Sequence, residues 1–383
     1  MRRQHIFHFP FSIFHLFFLL FSCTGTKTDL SDSGMPIAMR YADFLSLSES
    51  DGIVTATITN PWDTTRILHR YVLVPSDQDL LAQLPEGDVI RTPLQRSVVY
   101  TSVHCSLVNQ LGAYKGIAGV CDADYIYLDK IQRDVKAGLM RNIGNSMSPD
   151  MEQLIDLSPD AILLSPFENS GSYGKLGKMG IPLIECADYM ETSPLGRAEW
   201  MRFYGLLYGR RHEADSIFAT IEKEYNSLKA LAAKEKAKPS IVADTKVGAT
   251  WYIAGANSTM GRLYADAGGA YLFADEPSNG AVPYDPEVAF DKAQQADLWL
   301  IKYNQATDMT KEQLAQAWPN NARMKAFKDN NIYACNLTAS LFYEETPFHP
   351  ELLLKELIHI FHPHLLPDYK ARYFFQIENL KNK

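Results

Sequence analysis

Positive charge is in short supply in this 383-residue sequence: 37 lysines and arginines face 45 aspartates and glutamates, for a net charge of −8. Phosphate backbones call for a basic face, so the balance argues against nucleic acid as a partner. Cysteine is sparse as well, five in all, with no CxxC or other metal-ligand spacing. GxSxG, P-loop, GxGxxG and HExxH patterns are all missing, so the familiar signatures of hydrolases, nucleotide binders and metalloproteases are not written here. No block of like charges forms a tail. With 46% apolar and 21% charged residues the chain is a folded, globular type, long enough for two or three domains.

Long apolar runs are confined to the N-terminus. Arg2 and Arg3 precede a Phe/Leu-rich stretch from Phe11 to Phe21, followed by Ser22 and Cys23. A charged start and an apolar run of about ten residues is too short to span a bilayer and reads as a signal peptide over residues 1–22. Its end, Leu20-Phe21-Ser22-Cys23, resembles the lipobox of bacterial lipoproteins, which makes Cys23 the lipidated first residue of the mature chain. The alternative is an ordinary signal peptide with a chance cysteine. Residues 23–37, small and polar, read as a tether. Of the other cysteines, 105 and 121 are close enough in sequence for a disulfide, with buried free thiols as the alternative.

Past the tether, Ala38–Leu47, Ile53–Asn60 and Thr65–Val74 are β-type runs separated by turn residues, expected to form an antiparallel meander within a β-rich extension over 38–95. From Arg96 short strands alternate with helices, the mark of βα units around mainly parallel sheets. The longest periodic helix signal runs from Arg211 to Lys236, roughly 39 Å at helical rise. After Pro239 the alternation resumes. The expected architecture is α/β: two βα lobes (96–210 and 237–383) joined by one long helix (211–236), plus the extension.

Two phrases echo each other across the lobes. SPDMEQLIDLSPDAILLS begins at Ser148 and YDPEVAFDKAQQADLWLI at Tyr284. Each has an Asp/Pro pair, a glutamate at a helix start, a short amphipathic helix and an apolar strand. Glutamate favours a helix N-terminus for purely local reasons, which accounts for Glu152 or Glu287 alone but not for their matched placement. His104 closes the first strand of the first lobe, a position where α/β sheets bind ligands, though capping or internal pairing would equally explain it. Trp251 and Tyr252 hold the corresponding region of the second lobe. With Tyr125, Phe167, Tyr173, Phe342 and Tyr343 they compose an expected aromatic cleft for a large planar ligand. Lys246, Arg141 and Arg262 are candidate cations for an anionic one. The histidines at 359, 362 and 364 sit at a helix end, where capping explains them, and no metal site is assigned.

Over residues 96–366 the chain resembles the periplasmic substrate-binding proteins of ABC importers for ferric siderophores, haem and cobalamin. SVVYTSVHCSLVNQLGAYKGIAGVCDADY, NIGNSMSPDMEQLIDLSPDAILLS, LGKMGIPLIEC and VPYDPEVAFDKAQQADLWLI carry the likeness in order. The resemblance implies a ligand held between two lobes linked by a rigid helix, no catalysis and no resident cofactor, the iron or cobalt belonging to the cargo. It implies docking of Glu152 and Glu287 onto the two permease subunits of an ATPase-driven importer, by a monomer anchored on the periplasmic side of a bacterial membrane. The segment 38–95 lies outside the family pattern. A surface sensor or adhesion module reusing the fold, or a two-lobed tetrapyrrole or metal enzyme, are the rival readings.

Overall fold

A computed structural model describes residues 34–80, 84–168, 171 and 173–377. The expected signal peptide, Cys23 and most of the tether lie outside the described residues. The first sheet has five strands in sequential order: β1 (Met35–Ile37), β2 (Leu45–Ser50), β3 (Ile53–Thr59), β4 (Ile67–Pro75) and β5 (Asp88–Thr92). Asp51 and Gly52, both at positive φ, make the tight turn between β2 and β3, where an Asp-Gly pair fits the twist of a hairpin. Two features depart from the expected meander. Of the first run, Ala38–Leu47, only residues 45–47 are strand, in β2, because residues 38–44 leave the sheet to cross the body, and β1 lies before the run. A fifth strand, β5, pairs parallel to β4. The inward residues Leu45, Leu47, Val54, Ala56, Ile58, Tyr71, Leu73 and Ile90 join one continuous core with both lobes.

The first lobe follows with β6 (Ser97–Val99), α1 (Ser102–Gln110), β7 (Ile117–Val120), α2 (Asp129–Lys136), β8 (Arg141–Asn142), the hairpin strands β9 (Gly144–Asn145) and β10 (Ser148–Pro149), α3 (Met151–Leu157), β11 (Ile162–Leu164) and β12 (Leu183–Glu185). Its sheet is parallel, ordered β12-β11-β6-β7-β8. The helix expected over Tyr173–Met179 shrinks to a single 3₁₀ turn, Leu176–Lys178, in a segment where Gly174 and Gly180 take positive φ. Cys105, Cys121, Cys186 and Cys335 are buried free thiols.

Helices α4 (Pro194–Glu199) and α5 (Met201–Leu207) lead into α6 (Arg211–Ala232), 22 residues long. The last turn ends at Ala232, short of Lys236; Pro239 disfavours helix at the residue before it, while the Ala, Lys and Glu residues in between are good helix formers by propensity. One side of α6 meets α5 through Asp215 and Arg202, and its far half meets the second lobe. There Tyr225 and Lys229 bind Asp266, and Glu224 binds Lys355.

The second lobe holds β13 (Ser240–Ala243), β14 (Trp251–Ala254), α7 (Thr259–Asp266), β15 (Ala270–Tyr271), β16 (Ala281–Tyr284), α8 (Pro286–Ala293), β17 (Leu298–Tyr303), α9 (Lys311–Ala317), α10 (Lys325–Lys328), β18 (Ile332–Asn336), α11 (Phe342–Glu345), α12 (Pro350–Phe361) and β19 (Phe375–Gln376). Its sheet order is β15-β13-β17-β18-β19, parallel except for β19. The two lobes share a topology: the lobe's first strand is flanked by the next βα strand on one side and by the echo strand on the other. In each, a two-stranded antiparallel pair precedes the echo helix, a tight hairpin in the first lobe and β14 with β16, which are separated by α7 and β15, in the second. The architecture is the expected α/β pair of lobes with an N-terminal β-rich sheet.

Candidate functional site

The carboxyl ends of β6, β7 and β11 open into a cavity of about 560 Å³. In parallel α/β sheets this is where ligands bind, because the loops there converge while the strands below stay rigid. Three of the expected aromatic residues, Tyr125, Phe167 and Tyr173, line it together. Thr101, Ser102, Asp122, Ser146 and Met147 complete the wall, residues that the spacing of aromatics did not flag although each follows a strand or hairpin. Asp122 sits in the left-handed region, its carboxylate accepting from the Ser146 amide and the Asn145 side chain. Among the described residues lining the cavity there is no lysine, arginine or histidine.

The second lobe meets this region along a seam between α1 and α11. Glu344 is buried there, and burial lifts its carboxyl above the usual range, against bonds from the Ser102 side chain and the Tyr127 backbone. Tyr343, next in sequence, is half exposed, whereas Phe342 points into the core. At the strand ends of the second lobe, Lys302 holds Asp244 at 2.8 Å. Burial would lower the ammonium's pKa, but the Asp244 charge outweighs it, and the lysine titrates far above its ordinary value.

Several expected site residues are placed elsewhere. His104 is buried, with Nε2 2.7 Å from Asp188 Oδ1 and Nδ1 2.6 Å from Thr101 Oγ1, and its ring lies against Tyr204 and Phe348. Both ring nitrogens are occupied, so the histidine ties the fold together and offers nothing to a ligand. Trp251 is likewise core, donating its indole N–H to Ala243 O at 3.2 Å, while Tyr252 points outward, as the two-residue period of β14 requires. Phe342, at the start of α11, leaves the cleft for the core, where it packs on Tyr373 and Phe374. Of the candidate cations, Arg141 pairs with Asp156, Lys246 bonds Gly248 O, and Arg262 bonds Asn257 O beside Tyr41 and Asp266. None of them lines the cavity.

The echo is matched atom for atom at its helix starts. Asp150 caps α3, accepting from the Glu152 and Gln153 amides; Asp285 caps α8, accepting from the Glu287 and Val288 amides. With the caps filled by aspartate, Glu152 and Glu287 occupy the same second helical position, and both side chains are exposed. A second and larger cavity, about 850 Å³, lies between the extension and the first lobe, floored by His69, Asp88 and Glu185. Phe167 and Tyr173 belong to both cavities.

A family model described as periplasmic binding protein matches residues 98–337. An uncharacterized lipoprotein of Methanocaldococcus jannaschii is 23% identical over 381 residues, covering 92% of this chain and 89% of the relative. A second lipoprotein of that organism is 24% identical over 321 residues, covering 81% of this chain and 80% of the relative. Among solved structures, a periplasmic haem-binding protein from Pseudomonas aeruginosa superposes with a TM-score of 0.56 at 16% identity, covering 74% of this chain and 98% of that one. An ABC-type Fe3+-hydroxamate transport protein from Saccharomonospora viridis gives 0.55 at 16% identity, covering 70% and 94%. A molybdate-binding protein from Haemophilus influenzae gives 0.57 at 16% identity, covering 73% and 90%. At such identities the likeness is one of fold.

Proposed function

The chain belongs to the periplasmic binding protein family, and from that premise we propose that it captures a metal chelate, an iron complex or cobalamin, between its lobes and hands it to an ABC permease. It is a binding protein and not an enzyme, as are the family and its structural neighbours. The observation that carries the reading is the cavity at the carboxyl ends of β6, β7 and β11, walled by Tyr125, Phe167 and Tyr173 and bordered by the α1–α11 seam. Aromatic faces and hydroxyls suit a bulky, largely apolar chelate. Among the described residues Asp122 is the one charged group in the wall, and Lys302 is neutralised by Asp244, so the cavity favours an uncharged or cationic complex over a polyanionic one.

The reading extends to both ends of the pathway. Glu152 and Glu287 present matched carboxylates, one per lobe, for a pair of permease subunits. Lipidation of Cys23 would hold the protein on the periplasmic side, in keeping with the lipoprotein names of its relatives. The deciding experiment is visible absorption of the purified protein titrated separately with a neutral ferric trihydroxamate, a ferric tricatecholate, haem and cobalamin. Saturable binding of one of these, weakened at least tenfold by Tyr125→Ala plus Tyr173→Ala, is the expected result. Binding that ignores both substitutions, or none by any of the four, would remove the cleft assignment.

A further inference from the structure

The floor of the larger cavity joins the extension to the first lobe through one imidazole. His69, on β4, has Nδ1 3.0 Å from Glu185 Oε2 on β12 and Nε2 2.9 Å from Asp88 Oδ2 on β5. Its ring stacks on Tyr71 at 4.3 Å and 8°. The Tyr71 hydroxyl donates to Leu183 O and accepts from the Glu185 amide, closing the free edge of the first lobe's sheet. Glu185 takes a further bond on its other oxygen, from the Tyr173 hydroxyl at 2.6 Å. The remaining charged groups lining the cavity are Asp63 and Arg66 from the β3–β4 turn and Glu168 from the loop after β11.

Ionised carboxylates only accept, so satisfying both of them takes two ring N–H groups, which a neutral imidazole does not have. The arrangement is that of an imidazolium. Burial pulls the histidine's pKa down, but the bonds and charges of Glu185 and Asp88 outweigh it and raise the value. We propose that protonated His69, through Glu185, fastens the N-terminal extension to Tyr173 of the ligand-cleft wall, so that rising pH loosens this wall residue and weakens ligand binding. The effect on ligand rests on the cleft reading above; the effect on the wall does not.

Loss of the proton leaves one N–H. Asp88, with a side chain 62% exposed, turns to water, and the remaining N–H stays on the buried Glu185, 7% exposed. Among the described residues no lysine or arginine pairs with Glu185, so the carboxylate loses its cation. Hydration relieves it, and water enters by displacing the Tyr173 hydroxyl from Glu185. Because the folded pKa is raised, the fastening is complete below the ordinary histidine value of about 6.5 and is lost as pH rises through the higher folded value.

The test is amide hydrogen exchange of segment 166–182 in the full chain at pH 6 and pH 9, corrected for intrinsic rates, with carbon-13 NMR titration of His69. Wild type is expected to exchange about tenfold faster at the higher pH, with a midpoint matching His69. His69→Gln should exchange fast at both. Asp88→Asn, a change at an exposed position that spares the buried pair, should move the midpoint down without abolishing it. A neutral ferric trihydroxamate should bind wild type about fivefold more weakly at pH 9 and His69→Gln equally at both. Exchange that ignores pH in wild type, or keeps its full pH dependence in His69→Gln, overturns the proposal. Exchange that follows His69 while the probe binds at neither pH sustains the fastener and counts against the cleft.

Discussion

Asp188 is fully buried, yet its carboxylate is ionised, because three donors converge on it: His104 Nε2 at 2.7 Å, Tyr204 Oη at 3.0 Å and Arg197 Nε at 3.1 Å. Burial acts to raise its pKa, and His104 followed by Arg197 overcomes this, leaving the group below the usual aspartate range. A depressed folded pKa gives stability that is complete above the ordinary value near 3.9 and lost as pH falls through the folded value. Wild type is therefore expected to lose melting temperature on that acid limb, and Asp188→Asn to flatten it. His104→Ala removes a donor from a buried charge and should cost about 3 kcal/mol in chemical denaturation. If haem binds, its Soret band should be unchanged in that variant; a shifted band would restore His104 as a ligand. The sequence places His104 at the end of a strand; it stands instead in the first turn of α1, and its partner lies 84 residues away, so no local pattern reports which way the ring turns.

Helix starts are where local chemistry is most legible, and the echo survives for that reason. An aspartate at the N-cap, a carboxylate two residues on and an apolar strand are all decided within a few residues, so the two phrases fold alike. The β4–β5 pairing was not legible, since a parallel register between segments separated by a loop depends on what both pack against. The aromatic cleft was half legible. Strand period separates Trp251 from Tyr252, but an adjacent pair gives no sign of which member faces inward. At this scale the docking reading yields its prediction. Glu152→Arg plus Glu287→Arg leaves both aspartate caps in place, so the fold should lose no more than about 2 kcal/mol from the two helix dipoles. Ligand affinity should stay within about twofold, while uptake in cells or proteoliposomes disappears. Sustained transport, or lost binding, would show the pair to be ordinary helix-start glutamates.

Across the whole molecule, the extension is stitched to the body rather than appended to it. Residues 40–44 cross the back of the lobes as a strap whose backbone amides end on two buried carboxylates. Glu199 accepts from Arg40, Tyr41 and Ala42 at 2.7–3.0 Å; Glu191 accepts from Asp43 and Phe44 and from the Trp200 indole. Glu222 of α6 binds the Arg40 and Tyr41 side chains, and Thr259 of α7 donates to Glu191 O. The strap thus binds the first lobe and the long helix, and Glu191, one of the carboxylates that hold it, is bonded in turn from the second lobe. Since the extension also shares its core with both lobes, the described residues should unfold as one cooperative unit, with a single calorimetric transition. Glu199→Ala strands three backbone donors in a buried site, where each costs about 1–3 kcal/mol. It should lower that single transition by several degrees and expose residues 38–44 to protease while the lobes remain folded. A separate low-temperature transition in the wild-type protein, assigned to the extension by hydrogen exchange, would show instead that the strap is a passenger and that α6 alone sets how far the lobes can move.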